Sequence, residues 1–108
     1  WESSRRAWWP TLELERLLSS YGRTKILTIM LETGELNISE IMRRSGLSHS
    51  ATQRHLEYLK GSGILTEKRF NRIRIFRIDN GSPLAGVLTR FYSDWKETEE
   101  AFPRHSYN

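Results

Sequence analysis

The stretch Gly46-Leu47-Ser48-His49-Ser50-Ala51-Thr52-Gln53-Arg54-His55-Leu56 joins two short helical patterns with almost no chain between them. Gly46 can take the positive φ that a sharp reversal between helices requires. Ser48 offers the hydroxyl of a helix N-cap, and the helix it opens is expected to run to about Lys60, where Gly61 and Gly63 end it. Thr52, Leu56 and Leu59 fall on the side of that helix expected to pack inward. His49, Ser50, Gln53 and Arg54 fall on the other, where all four can hydrogen-bond base edges or phosphates. Leu47 is expected to plug the space between the two helices, and Ala51 is small enough to let their backbones approach.

The flanking sequence extends the pattern both ways. Pro10-Thr11 reads as the entry to a first helix carrying Leu12, Leu14, Leu17 and Leu18 through about Ser20, with Tyr21-Gly22 as its break. A second helical pattern holds Ile26, Leu27, Ile29, Met30 and Leu31 and stops at Gly34. A short third helix is expected over Ser39 to Arg44, capped by Asn37 or Ser39. After Gly63, Ile64–Phe70 and Ile73–Ile78 read as two strands around Asn71-Arg72. Asp79-Asn80-Gly81 is a turn, Ser82-Pro83 is a cap with proline at the first helical position, and a last helix follows. Its acidic end, Glu97 to Glu100, is expected to fray. Two short helices followed by a hairpin have the order of a winged helix-turn-helix. The expected fold class is α+β, mostly α, with extra N- and C-terminal helices around that unit.

Charge is concentrated in the same place. The 108 residues carry 17 Lys and Arg against 13 Asp and Glu, a net of +4. Residues 43–77 hold nine basic side chains (Arg43, Arg44, Arg54, Lys60, Lys68, Arg69, Arg72, Arg74, Arg77) against Glu57 and Glu67, a net of +7. The segments before and after carry −1 and −2. A stripe of this density is an electrostatic footprint for nucleic acid, and a solvated basic face is the alternative. There is no cysteine, which excludes disulfides, thiolate metal sites and cysteine nucleophiles. No apolar run reaches the length of a membrane span, no secretory signal is seen, and no membrane partner is expected. The first residue is Trp1 and not Met, from which further residues before it are expected. One domain in a reducing compartment is the reading, in the cytoplasm and on the nucleoid.

Leu47-Ser48-His49-Ser50, Arg54-His55-Leu56 with Leu59, and Gly63-Ile64-Leu65 resemble the recognition-helix signature of ArsR-like winged-helix transcription regulators, a prokaryotic or archaeal type. The resemblance covers about residues 21–79. It implies a homodimeric regulator of double-stranded DNA, with helix 48–60 in the major groove and hairpin 64–78 as a wing near the minor groove or backbone. Carried over by position, His49, Ser50, Gln53 and Arg54 match the usual DNA-facing sites. Thr52 departs from the pattern, standing where the family commonly has a buried aliphatic residue. The family's metal sensing does not carry over. Its thiolate sites need cysteines, and the last helix has Asp94 and Glu97 but no histidine, with His105 isolated beyond Pro103. No metal and no cofactor are expected, and a small-molecule effector is left open.

The expected DNA-binding set is Arg43, Arg44, Ser48, His49, Ser50, Gln53, Arg54, Arg69, Arg72 and Arg74. Arg54 leads it, because a guanidinium suits both phosphate and guanine. Arg69, Arg72 and Arg74 surround the hairpin tip, and Arg43 and Arg44 also suit a helix C-terminus. His55 reads as a structural histidine, and Tyr58 and Phe70 as packing groups. On the last helix Leu84, Val87, Leu88, Phe91 and Trp95 form one apolar stripe. With Leu14, Leu17 and Leu18 it is expected to make a two-fold dimer interface. The chain thus divides into residues 1–20 (arm and helix, dimerisation), 21–79 (DNA-binding unit) and 80–108 (dimerisation helix and tail). A sequence-specific regulator is the leading reading. A low-specificity nucleoid protein is the alternative, and a protein-binding module finds no acidic wing to support it. No nucleophile–base pair or phosphate-cradling loop is present, so no enzyme is expected.

Overall fold

The computed structural model describes residues 12–102. Their order is α1 (Leu14–Leu17), α2 (Tyr21–Thr33), β1 (Glu35–Asn37), α3 (Ile38–Ser45), α4 (His49–Gly61), β2 (Leu65–Phe70), β3 (Ile73–Ile78) and α5 (Pro83–Ala101). The architecture is a mostly helical α+β winged helix-turn-helix with helices added at both ends.

Side-chain caps set most of the helix starts. Asn37 accepts from the Glu40 amide at 2.9 Å to open α3, Ser48 from Ala51 at 3.2 Å to open α4, and Ser82 from Ala85 at 3.3 Å to open α5. Gly46 ends α3 with φ 73°, so the chain reverses and α4 begins three residues later. The turn between the two helices is therefore as short as the sequence suggests.

Three expectations change. The first helix is only Leu14–Leu17, and its expected entry at Pro10-Thr11 lies outside the described residues. Tyr21-Gly22 does not break a helix: Ser20 caps α2, and both residues sit in its first turn. The acidic end of α5 stays helical to Ala101, helped by a Lys96–Glu99 pair at 3.4 Å.

β1 is an addition that no periodicity announces. It pairs antiparallel with β3, giving the order β1-β3-β2 with Leu36 opposite Phe76. In the hairpin Leu65 pairs with Ile78, Glu67 with Phe76 and Arg69 with Arg74. These six share one face. Leu65, Phe76 and Ile78 bury it at the base, where they join Ile26 and Met30 of α2, Ile41 of α3, Leu56 and Leu59 of α4, and Ala85 and Leu88 of α5. Phe70, expected as a packing group, stands exposed near the turn. Beyond Phe76 the same face carries charge, and that change decides how the hairpin meets α4.

Candidate nucleic-acid interface

α4 is two-sided, as its spacing requires. Thr52, Leu56 and Leu59 are buried, while Ser48, His49, Ser50, Gln53 and Arg54 are exposed. Ser48 has a double position: its Oγ caps the helix and lies 3.5 Å from the Ser50 hydroxyl. The first two turns therefore present hydroxyl, imidazole, amide and guanidinium groups to solvent on a rigid element with a buried back.

The basic residues around this face are not equivalent. Arg43 and Arg44 both turn to Glu40 in their own helix, at 2.7 and 3.3 Å. Their guanidiniums hold the Glu40 carboxyl below its usual range, Arg43 first. Both pairs are exposed, so they exchange readily with another anion. Arg72 is exposed at the hairpin turn beside Asn71, which takes φ 59°. Arg69 is exposed too, 3.8 Å from Glu67.

Arg74 stands differently from the tip position the sequence suggests. Its guanidinium folds down against α4, donating from Nε to Glu67 at 2.6 Å and from Nη2 to Glu57 at 2.9 Å. The alternation of β3 put Arg74 on the face of Phe76 and Ile78, and that face points inward. We therefore leave Arg74 out of the contacts we assign to DNA. Sequence reasoning passed over its partners Glu57 and Glu67, and over Lys60, which also donates to Glu67. A signal was available, because Glu57 and Glu67 are the two acidic residues in the basic stretch and Glu67 alternates with Leu65.

His55 is buried on the inner side of α4, as expected of a structural histidine. Burial, then the nearby Arg54 and Arg23, push its pKa down. Its Nδ1 has no hydrogen-bond partner among the described residues, and neither has the Thr52 hydroxyl. Tyr58 is half-buried, with the Arg23 guanidinium 3.7 Å above its ring.

Away from α4, the stripe expected to pair two copies splits in two. Leu17 is 1% exposed and Leu88 7%, so both belong to the core of a single protomer. Leu84 is partly buried against the same core. Val87, Phe91 and Trp95 on α5, with Leu14 and Leu18, are 43–63% exposed and border an apolar groove of about 470 Å³. The Phe91 and Trp95 rings lie 6.0 Å apart. Among the described residues, no three His, Asp or Glu side chains group to hold a metal, and no helix is long and apolar enough to cross a membrane. His105 lies outside the described residues.

Residues 20–67 match the family model of the bacterial regulatory proteins of the arsR family. No curated protein sequence matches the chain. Among solved structures, HlyU from Vibrio cholerae N16961 superposes with a TM-score of 0.62 at 23% identity, over 72% of this chain and 82% of that one. The transcriptional regulator HlyU from Vibrio vulnificus CMCP6 gives 0.64 at 21% identity, over 76% and 82%. Mb0332 from Mycobacterium bovis, described as a homodimeric winged helix-turn-helix DNA-binding domain, gives 0.61 at 19% identity over 86% and 82%. At these identities the structural likeness is one of fold, and the likeness to the family rests on the matched residues 20–67. The chain thus resembles the arsR family over residues 20–67, and its fold is that of a winged helix-turn-helix.

Proposed function

We propose that the protein is a sequence-specific regulator of double-stranded DNA that works as a homodimer. Helix α4 enters the major groove, and the β2–β3 hairpin lies as a wing against the minor groove or the backbone. The observation that carries this reading is the exposed set His49, Ser50, Gln53 and Arg54 on the first two turns of a helix whose back is locked into the core. A major groove admits one α-helix, and polar groups at the N-terminal half of that helix are where base edges are read. Arg54 and Gln53 read bases, while Ser48, Arg69, Arg72 and the exchangeable pair Arg43 and Arg44 bind phosphate. The described homodimeric state of Mb0332 supports a two-fold assembly. The exposed residues Leu14, Leu18, Val87, Phe91 and Trp95 would form its interface, with residues 21–79 as the DNA-binding unit between the dimerising ends.

Selection from genomic fragments, followed by footprinting at two salt concentrations, tests this. A protected palindrome of about 20 base pairs that survives near-physiological salt is expected. Uniform coating that salt removes would replace it with a low-specificity nucleoid protein. Gln53→Ala or Arg54→Ala should relax sequence preference, and Arg72→Ala should weaken all DNA alike. The opposite pattern would overturn these roles.

A further inference from the structure

The outer half of the hairpin meets α4 through charge and not through apolar side chains. Glu67 on β2 is 5% exposed, and its carboxylate accepts from Arg74 Nε at 2.6 Å, Arg74 Nη2 at 3.2 Å and Lys60 Nζ at 3.0 Å. Arg74 on β3 then donates to Glu57 on α4 at 2.9 Å. Glu57 and Lys60 are one turn apart on α4, so the connections close a loop: helix, β2, β3 and back to the helix. A guanidinium fork between two carboxylates fixes orientation as well as distance, which sliding apolar contacts do not. The loop sits between the two surfaces assigned to DNA, with Arg54 one turn before Glu57 and Arg72 two residues before Arg74.

We propose that Glu67 and Arg74 are positioning residues that set the angle between the wing and α4, so that Arg72 and Arg54 reach one duplex together. The second clause rests on the DNA-binding reading above, whereas the angle belongs to the free protein. Neither side chain needs to touch DNA.

The test exploits the absence of cysteine, since spin labels then attach only at introduced sites. With labels at Gln53→Cys and Arg72→Cys, in labelled protein diluted into an excess of unlabelled chains so that intersubunit pairs are rare, electron–electron double resonance on the free protein should give one narrow intramolecular distance peak. Arg74→Lys keeps the charge but replaces the fork with a single ammonium, and should broaden that peak. Glu57→Gln cuts the loop at its half-exposed end at little cost in stability, and gives the same reading should Arg74→Lys not fold. An unchanged distribution in a folded variant overturns the proposal. On DNA, unlabelled Arg74→Lys should bind about fivefold more weakly, and this loss should vanish in an Arg72→Ala background. Equal losses in both backgrounds also overturn it. Failure of the parent protein to bind any DNA would overturn the regulator reading and leave the distance result standing.

Discussion

His55 fills the space that a side chain at Gly22 would occupy: a Cβ there would lie 2.9 Å from His55 Nε2 and 3.3 Å from a Leu47 methyl. The first turn of α2 and the middle of α4 thus approach over a missing side chain.

Gly22→Ala should therefore destabilise the protein by about 1–3 kcal/mol, although alanine is normally the better helix former. Chemical denaturation measures the change. Adding His55→Ala removes the overlap, so the double variant should be more stable than the sum of the two single costs implies. Strict additivity would mean that the two residues do not share this space.

Acidification should weaken the fold through His55. Burial and two neighbouring guanidiniums lower its folded pKa below the ordinary 6.5, so the unfolded chain takes up the proton first. Stability is then fully present above about pH 6.5 and falls as the pH drops below it. A thermal midpoint that declines over this range, and a flatter profile in His55→Gln, are the expected results.

Glu67 adds a second, more acidic limb. Hydrogen bonds from Arg74, and then from Lys60, hold its carboxyl at about 2, against an ordinary 4.5. Its stabilisation is present above about pH 4.5 and lost as the pH falls toward 2, an amount of roughly 2–3 kcal/mol. Urea midpoints across that range should drop in the parent protein, and Glu67→Gln should lack this step while starting less stable.

Thr52→Val should raise stability by about 1 kcal/mol, because it replaces a buried hydroxyl without a partner by a methyl of similar size. A higher urea midpoint with an unchanged slope is the expected outcome, and a lower midpoint would indicate that the hydroxyl is satisfied.

Leu88 and Phe91 lie on successive residues of one stripe yet should behave differently. Leu88→Ala opens the core and should cost about 2–5 kcal/mol. Phe91→Lys alters an exposed site and should leave the protomer folded while lowering the mass seen by light scattering to that of one chain. If the Phe91 variant keeps twice the monomer mass, the proposed interface is misplaced.

The helix-turn-helix was legible because its signals are local. Asn37, Ser48 and Ser82 cap helices from their own sequence neighbourhoods, and Gly46 adopts a conformation that few other residues share. β1 was not legible: its three residues become a strand only through β3, about forty positions later. Gly22 read as a break because its reason for being glycine lies across the fold at His55. Alternation grouped Arg74 with Phe76 and Ile78, but which strand face turns inward depends on where α4 lies. Leu88 shares its stripe with Phe91 and Trp95, and Leu17 adjoins Leu18, so only packing could separate the two buried leucines from the exposed residues expected beside them at an interface.

The burial of Leu17 and Leu88 within one protomer bears on the pairing proposed above. Were the protein to pair as proposed, each copy would bring a core already closed around Leu17 and Leu88, so folding and pairing would be separate equilibria. At concentrations below the pairing constant, occupancy of a two-fold DNA site would follow the square of the protomer concentration. A modest change in synthesis or turnover would then switch such a site more sharply than any single-copy binder could.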